Sequence, residues 1–105
     1  MPIRKNAHWM IKEDDRILEY LESEGWGMPS IIAEQPCIDI PPAVVHERLL
    51  YLRDVGLVSP MWSESYELTM DGLLYLWGEI DIENRPKPMP VRVLKAYAES
   101  EKSTG

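Results

Sequence analysis

Residues 40–58 read Ile40-Pro41-Pro42-Ala43-Val44-Val45-His46-Glu47-Arg48-Leu49-Leu50-Tyr51-Leu52-Arg53-Asp54-Val55-Gly56-Leu57-Val58. A proline forces the residue before it out of the helical region, so Pro41 is extended and Pro42 is the first residue that can be helical. From there Val45, Leu49, Leu52 and Gly56 follow helical spacing, which predicts one buried face over Pro42–Val55 closed by a left-handed glycine. Leu57-Val58 then starts an extended run. A leucine on the buried face, a glycine cap and an apolar pair are the steric requirements of a helix that turns directly into a strand.

Upstream, Glu13, Asp14 and Asp15 place three carboxylates where a helix dipole favours them, and they open a predicted helix over 13–24. Ile17, Leu18 and Leu21 form its apolar stripe, Gly25 stops it, and its acids are expected to face solvent. Trp9 and Met10 are expected beside that stripe. A short helix follows over Pro29–Gln35, with Ile31 and Ile32 as its buried pair and Pro36 at its end. Downstream, Leu57-Val58 and Tyr66-Glu67-Leu68 flank the turn-capable stretch 59–65 and predict a hairpin. Thr69 is a good N-cap for a helix over 70–80, apolar on two sides through Leu73, Leu76, Trp77 and Ile80 on one and Leu74 and Tyr75 on the other. Alternating prolines over 84–90 then favour an extended strap, with a last short helix over 91–98.

A chain of 105 residues is one small domain, and its 45% apolar content suffices for a core. The formal charge of -7 disfavours a protein that merely coats phosphate. That charge is uneven. Residues 1–12 sum to +3, residues 13–24 to -5, residues 59–83 to -6 and residues 84–98 to +4. Basic ends around an acidic body are either arms that reach phosphate or solubilising tails. Cys37 is the single cysteine and no apolar run approaches membrane-spanning length, so a soluble, cytoplasmic protein without disulfides is expected. Histidines occur only at 8 and 46, no Cys-x-x-Cys spacing is present, and no glycine-rich loop precedes a helix. No metal, cofactor, small-molecule substrate or catalytic group is therefore expected.

Helix, short helix, long helix, hairpin and helix is the order of a winged helix-turn-helix, an α+β and mainly helical fold whose third helix enters the major groove and whose hairpin is the wing. Three segments carry a closer resemblance: Asp14-Asp15-Arg16-Ile17-Leu18-Glu19-Tyr20-Leu21 after Trp9-Met10, Gly25-x-Gly27-x-Pro29-Ser30-x-Ile32-Ala33, and Tyr66-Glu67-Leu68-Thr69-x-x-Gly72-x-x-Tyr75-Leu76-x-Gly78-Glu79-Ile80-Asp81. With the Gly56-Leu57-Val58 junction between them, this set resembles the small winged-helix proteins of halophilic archaea and their viruses related to the phiH phage repressor. The resemblance covers residues 9–83 and implies a repressor-like, DNA-binding transcriptional regulator working in molar potassium. Acidic surfaces stay hydrated in such a solvent. The composition supports that setting only in part, since Glu outnumbers Asp twelve to six and Lys nearly equals Arg, five to six.

Within this frame the chain divides into a basic N-terminal arm (1–12), the winged helix-turn-helix domain (13–82) and a proline-rich strap with a tail (83–105). Candidate contacts to double-stranded DNA are Pro42, Ala43, His46, Glu47, Arg48 and Arg53 on the third helix, Ser63 on the wing, and Arg4 and Lys5 on the arm. The third helix departs from the family's pattern of Ser, Arg, Lys or Tyr on its outer face. Its outward set is Ala43, His46, Glu47, Leu50 and Asp54, flanked by Val44, Arg48, Tyr51 and Arg53, which leaves His46, Arg48 and Arg53 as candidate donors, or as a surface histidine between solvated flanks. Glu47 suits only a cytosine amino group, and Val44 or Leu50 only a thymine methyl. The alternative is a protein–protein interaction module that has lost DNA reading and uses that apolar face. A homodimer is expected through Leu74, Tyr75 and Trp77, with Val91, Leu94 and Tyr97 of the tail. Trp9 and Trp77 read as core, whereas Trp26 and Trp62 are either partner anchors, base-stacking groups or packing for the wing.

Overall fold

The computed structural model describes residues 4–89. The expected tail helix and the dimer residues Val91, Leu94 and Tyr97 lie outside the described residues. Four helices and a hairpin follow in order: α1 (Lys12–Glu24), α2 (Pro29–Ile32), α3 (Pro42–Asp54), β1 (Val58–Pro60), β2 (Tyr66–Leu68) and α4 (Met70–Leu76). This small α+β arrangement is consistent with a winged helix. One cluster forms the core, built from Ile17, Leu18 and Leu21 of α1, Ile32 of α2, Val45, Leu49 and Leu52 of α3, Leu57 and Val58, and Tyr75 and Leu76 of α4. Trp9 and Met10 pack against it.

The double proline acts as its chemistry requires. Pro41 is extended with ψ 164° and Pro42 opens α3. At the other end the Leu57 amide donates to the Leu52 carbonyl at 2.9 Å and the Gly56 amide to Arg53 at 3.0 Å, the paired bonds of a Schellman cap. The chain leaves this cap straight into β1, which pairs antiparallel with β2 as Val58–Leu68, Ser59–Glu67 and Pro60–Tyr66. Tyr66 also exchanges two backbone bonds with Gly27, so the α1–α2 connection joins the edge of the wing. Thr69 closes the junction: its amide donates to Leu57, its hydroxyl donates to the Gly56 carbonyl, and the same oxygen accepts the Gly72 amide that starts α4.

Three expectations are corrected. α2 stops at Ile32, and in so short a helix only one of two adjacent isoleucines can face inward; Ile32 is buried and Ile31 is exposed. α4 ends at Leu76 rather than at 80 because Gly78, at φ 75°, permits a second Schellman cap, with Glu79 donating to Leu74 and Gly78 to Tyr75. The first turn of α1 is not a solvated acidic face, since Glu13 and Asp14 are buried and Asp15 is bonded to Tyr75.

The N-terminal segment packs rather than trails. Arg4 donates to Glu19 and to the Leu76 carbonyl, Lys5 pairs with Asp81 through the backbone, and Ala7 is buried. The His8 amide and ring both meet the Glu83 carboxylate at 2.7 Å, which ties this segment to the start of the strap. Arg85 continues the strap's attachment through Asp71 at 2.9 Å and the Val55 carbonyl.

Two measurements check this architecture. A Cβ added at Gly72 would sit 2.2 Å from the Leu57 carbonyl oxygen, which is backbone and cannot step aside. Gly72→Ala is therefore expected to destabilise by about 1–3 kcal/mol or more in urea unfolding. Glu19 accepts from both Arg16 and Arg4; burial works against its charge, but those bonds outweigh it and hold the carboxyl below its ordinary value of 4.5. A depressed folded pKa gives stability that is present above the ordinary value and lost as pH falls through the lowered one. The stability difference between the wild type and Glu19→Gln should accordingly shrink towards zero below that range.

Candidate nucleic-acid interface

Helical geometry puts Pro42, Ala43 and Glu47 of α3 on one open surface, and all three are exposed. Beside them the wing lies against the helix through Tyr66. The His46 ring stands 6.4 Å from the Tyr66 ring, and Arg53, seven residues on, hydrogen-bonds the Tyr66 side chain. Burial pushes the Tyr66 phenol up, and Arg53 opposes this only in part. His46 and Arg53 are both half-buried, so each keeps an edge towards solvent at the groove between helix and wing. Ser63 stands exposed at the wing tip, where it adopts φ 58° to complete the turn.

Arg48 has a different environment. Its Nε and Nη2 donate to the two oxygens of Asp14 at 2.9 and 2.7 Å, Nη2 also donates to the Trp9 carbonyl, and its guanidinium stacks 4.8 Å from the Tyr51 ring. Burial works against the charge, but Asp14 outweighs it and raises the guanidinium above its ordinary value. These contacts face α1 and the core. Leu50, expected on the outer face, is only 6% exposed, and Val44 and Tyr51 are half-buried. An apolar outer face of α3 is therefore corrected: the open residues are Pro42, Ala43 and Glu47, and the longer side chains fold down against the wing and α1.

Arg4 is held by Glu19 and the Leu76 carbonyl, and the Lys5 backbone bridges to Asp81 while its side chain stays exposed, on the α1–α4 side of the body. Arg16 shares Glu19, and Arg85 holds Asp71. Every arginine among the described residues thus has an internal partner. The apolar dimer face also differs from expectation. Tyr75 is fully buried, donating its hydroxyl to Asp15 at 2.6 Å and accepting from Asn6, so it has no surface to offer a second copy. Leu74 is half-buried. Trp77, read as core, is 53% exposed, with its indole N–H on Glu22.

Two contacts at this surface were not legible in the sequence. One is Tyr66 as the bridge between wing and α3, for which alternation in Tyr66-Glu67-Leu68 signals burial but not partners. The other is the contact between Trp26 and Trp62, with ring centroids 6.2 Å apart, whose residues lie far apart in the chain. Among the described residues no helix is long and apolar enough to cross a membrane, and no group of three His, Cys, Asp or Glu side chains could hold a metal ion.

The crystal structure of the PhiH1 repressor-like protein from Haloarcula marismortui matches this chain with a TM-score of 0.78 and 34% sequence identity, over 83% of this chain and 99% of the other. No protein-family model matches the chain, and no curated protein matches it.

The Arg48–Asp14 pair supplies the test of how α3 is held. Asp14→Ala would leave a largely buried guanidinium without its carboxylate and is expected to lower stability by about 3–5 kcal/mol. Urea unfolding of Asp14→Ala, Arg48→Met and the double variant measures it: the double variant should recover much of the loss, and purely additive losses would show that the two side chains do not act as a pair.

Proposed function

Since the chain belongs to the PhiH1 repressor-like family, we propose that it is a DNA-binding transcriptional regulator of the repressor type, reading duplex DNA with α3 in the major groove and the wing alongside. The observation that carries this reading is the match to a repressor-like protein across nearly that protein's whole length, together with an α3 whose Pro42, Ala43 and Glu47 stay open in this chain. The open residues set what can be read. Glu47 accepts from a cytosine amino group, and Ala43 touches a thymine methyl. His46 and Arg53 donate from the groove beside the wing, and Ser63 reaches a phosphate oxygen. Arg48 contributes by holding α3 to α1. In a homodimer Leu74 and the exposed Trp77 supply the apolar contact, and Tyr75 stays inside its own core.

Because the described arginines already have partners, few cations are left to displace counterions, and binding rests on base edges and shape. At about 1 M salt the Debye length is near 3 Å, so such contacts lose little where long-range attraction is already screened. The same engaged arginines, with Glu47 on the open face, favour a second reading in which the fold contacts protein and reads no DNA.

Fluorescence anisotropy decides between them, using duplexes from upstream of the protein's own reading frame and scrambled controls over about 0.1 to 2 M KCl. Saturable, sequence-dependent binding with a shallow salt slope is expected. Glu47→Lys should bind more tightly, steepen the slope of log K against log salt by about one, and relax discrimination at one base pair. Absence of sequence-dependent binding across the range would sink DNA reading and leave the second interpretation.

A further inference from the structure

Where the wing meets the α1–α2 connection, two indoles stand in solvent: Trp26 is 44% and Trp62 66% exposed, and their rings tilt against each other. Trp26 also lines a cleft of about 150 Å³ together with Tyr20, Glu24, Met28 and Ile31. The cleft is built on fixed backbone. Gly27 exchanges bonds of 2.9 and 2.8 Å with Tyr66, which places Trp26, and the Met61 amide donates to Ser65 at 2.9 Å, which shapes the tip that carries Trp62. Two exposed tryptophans contribute little to folding, although each ring could bury on the order of 200 Å².

The electrostatics select the occupant. Glu24 lines the cleft, its carboxylate accepts a 3.3 Å bond from Ser23, and no cation among the described residues pairs with it. Glu64, two residues beyond Trp62, is exposed as well. The Glu24 carboxylate in the cleft repels an anionic group, whereas a cation gains from both the indole face and the carboxylate. A volume near 150 Å³ admits about one benzene-sized group, which is a single side chain and not a helix.

We propose that this cleft receives a Lys or Arg side chain, flanked by apolar residues, from a basic segment of a protein partner. The cation lies over Trp26, which the Trp62 ring backs, with its charge on Glu24, and its apolar neighbours cover Met28 and Ile31. The site is separate from α3, so it stands whether or not the chain reads DNA.

A phage-displayed library of short random peptides, panned on the full-length protein, tests it. Peptides carrying Lys or Arg next to an aliphatic or aromatic residue should be enriched. A synthetic copy of the strongest should lose about tenfold in affinity against Trp62→Ala and a few-fold against Glu24→Gln, and should fail when its own cation becomes Gln. Circular dichroism of both variants checks folding, and Glu24→Gln, an isosteric change at an exposed position, carries the test should Trp62→Ala loosen the wing. The proposal is overturned by no enrichment, by acidic winners or by binding indifferent to both substitutions. Peptide binding that appears only after residues 90–105 are deleted overturns it equally, by placing this chain's own tail there.

Discussion

The bidentate contact between Arg48 and Asp14 joins the N-terminus of α1 to the middle of α3, and the placement of α3 depends on it. Asp14 has three jobs at once. Its carboxylate sits in the first turn of α1, where the helix dipole favours negative charge; it accepts the Ile11 amide at 3.0 Å, capping the helix; and it takes both donors of Arg48. Arg48 adds the Trp9 carbonyl, which draws in the segment before α1. A buried pair of this kind gives little net stability over an apolar pair of the same shape, because desolvation offsets the attraction. Its effect is to penalise other packings, since any shift of α3 along α1 would leave a buried charge unmatched.

From that fixed helix the rest is chained by backbone geometry. The Schellman cap at Gly56 sets the direction in which β1 leaves, β1 sets β2 by register, and Thr69 returns the chain to the Gly56 and Leu57 carbonyls to start α4. Gly72 lets α4 approach Leu57 where a methyl group would collide. The wing, α3 and α4 are therefore one rigid junction around a few carbonyl groups, and Tyr66 locks it by touching His46 and Arg53 on one side and Gly27 on the other.

This explains which features could be read from the chain. The start of α3, its buried face and its glycine stop are decided within a few residues, by prolines, spacing and a left-handed turn, and they were legible. So were the hairpin and the Thr69 cap. Features that depend on partners distant in sequence were not. Arg48 meets Asp14 from 34 residues away, and a periodic pattern shows such an arginine only as a flank of the helix. Leu50 lies on the nominally outer face yet is covered, Ile31 lies beside a buried isoleucine yet is open, and Tyr75 finds Asp15 and Asn6 only once α4 is laid against α1. Gly78 stops α4, but Ile80 beyond it fits the helical spacing and extended the apparent period of the helix.

The engaged arginines alter what the net charge of -7 means for function. As a bulk figure it argues against a nucleic-acid partner, yet long-range attraction is a property of charges that project into solvent. Here four arginines hold the protein together: Arg4 and Arg16 on Glu19, Arg48 on Asp14, Arg85 on Asp71. Among the exposed acids are Glu47 on α3, Glu24 beside the cleft and Glu64 on the wing. On the proposed DNA-reading function, a surface organised in this way would be selective by exclusion, because a phosphate backbone would approach α3 only where a specific base edge compensates Glu47. On that proposal, weak non-specific affinity would follow from the same ion pairs that fix the fold, and discrimination would fall to the few side chains between α3 and the wing.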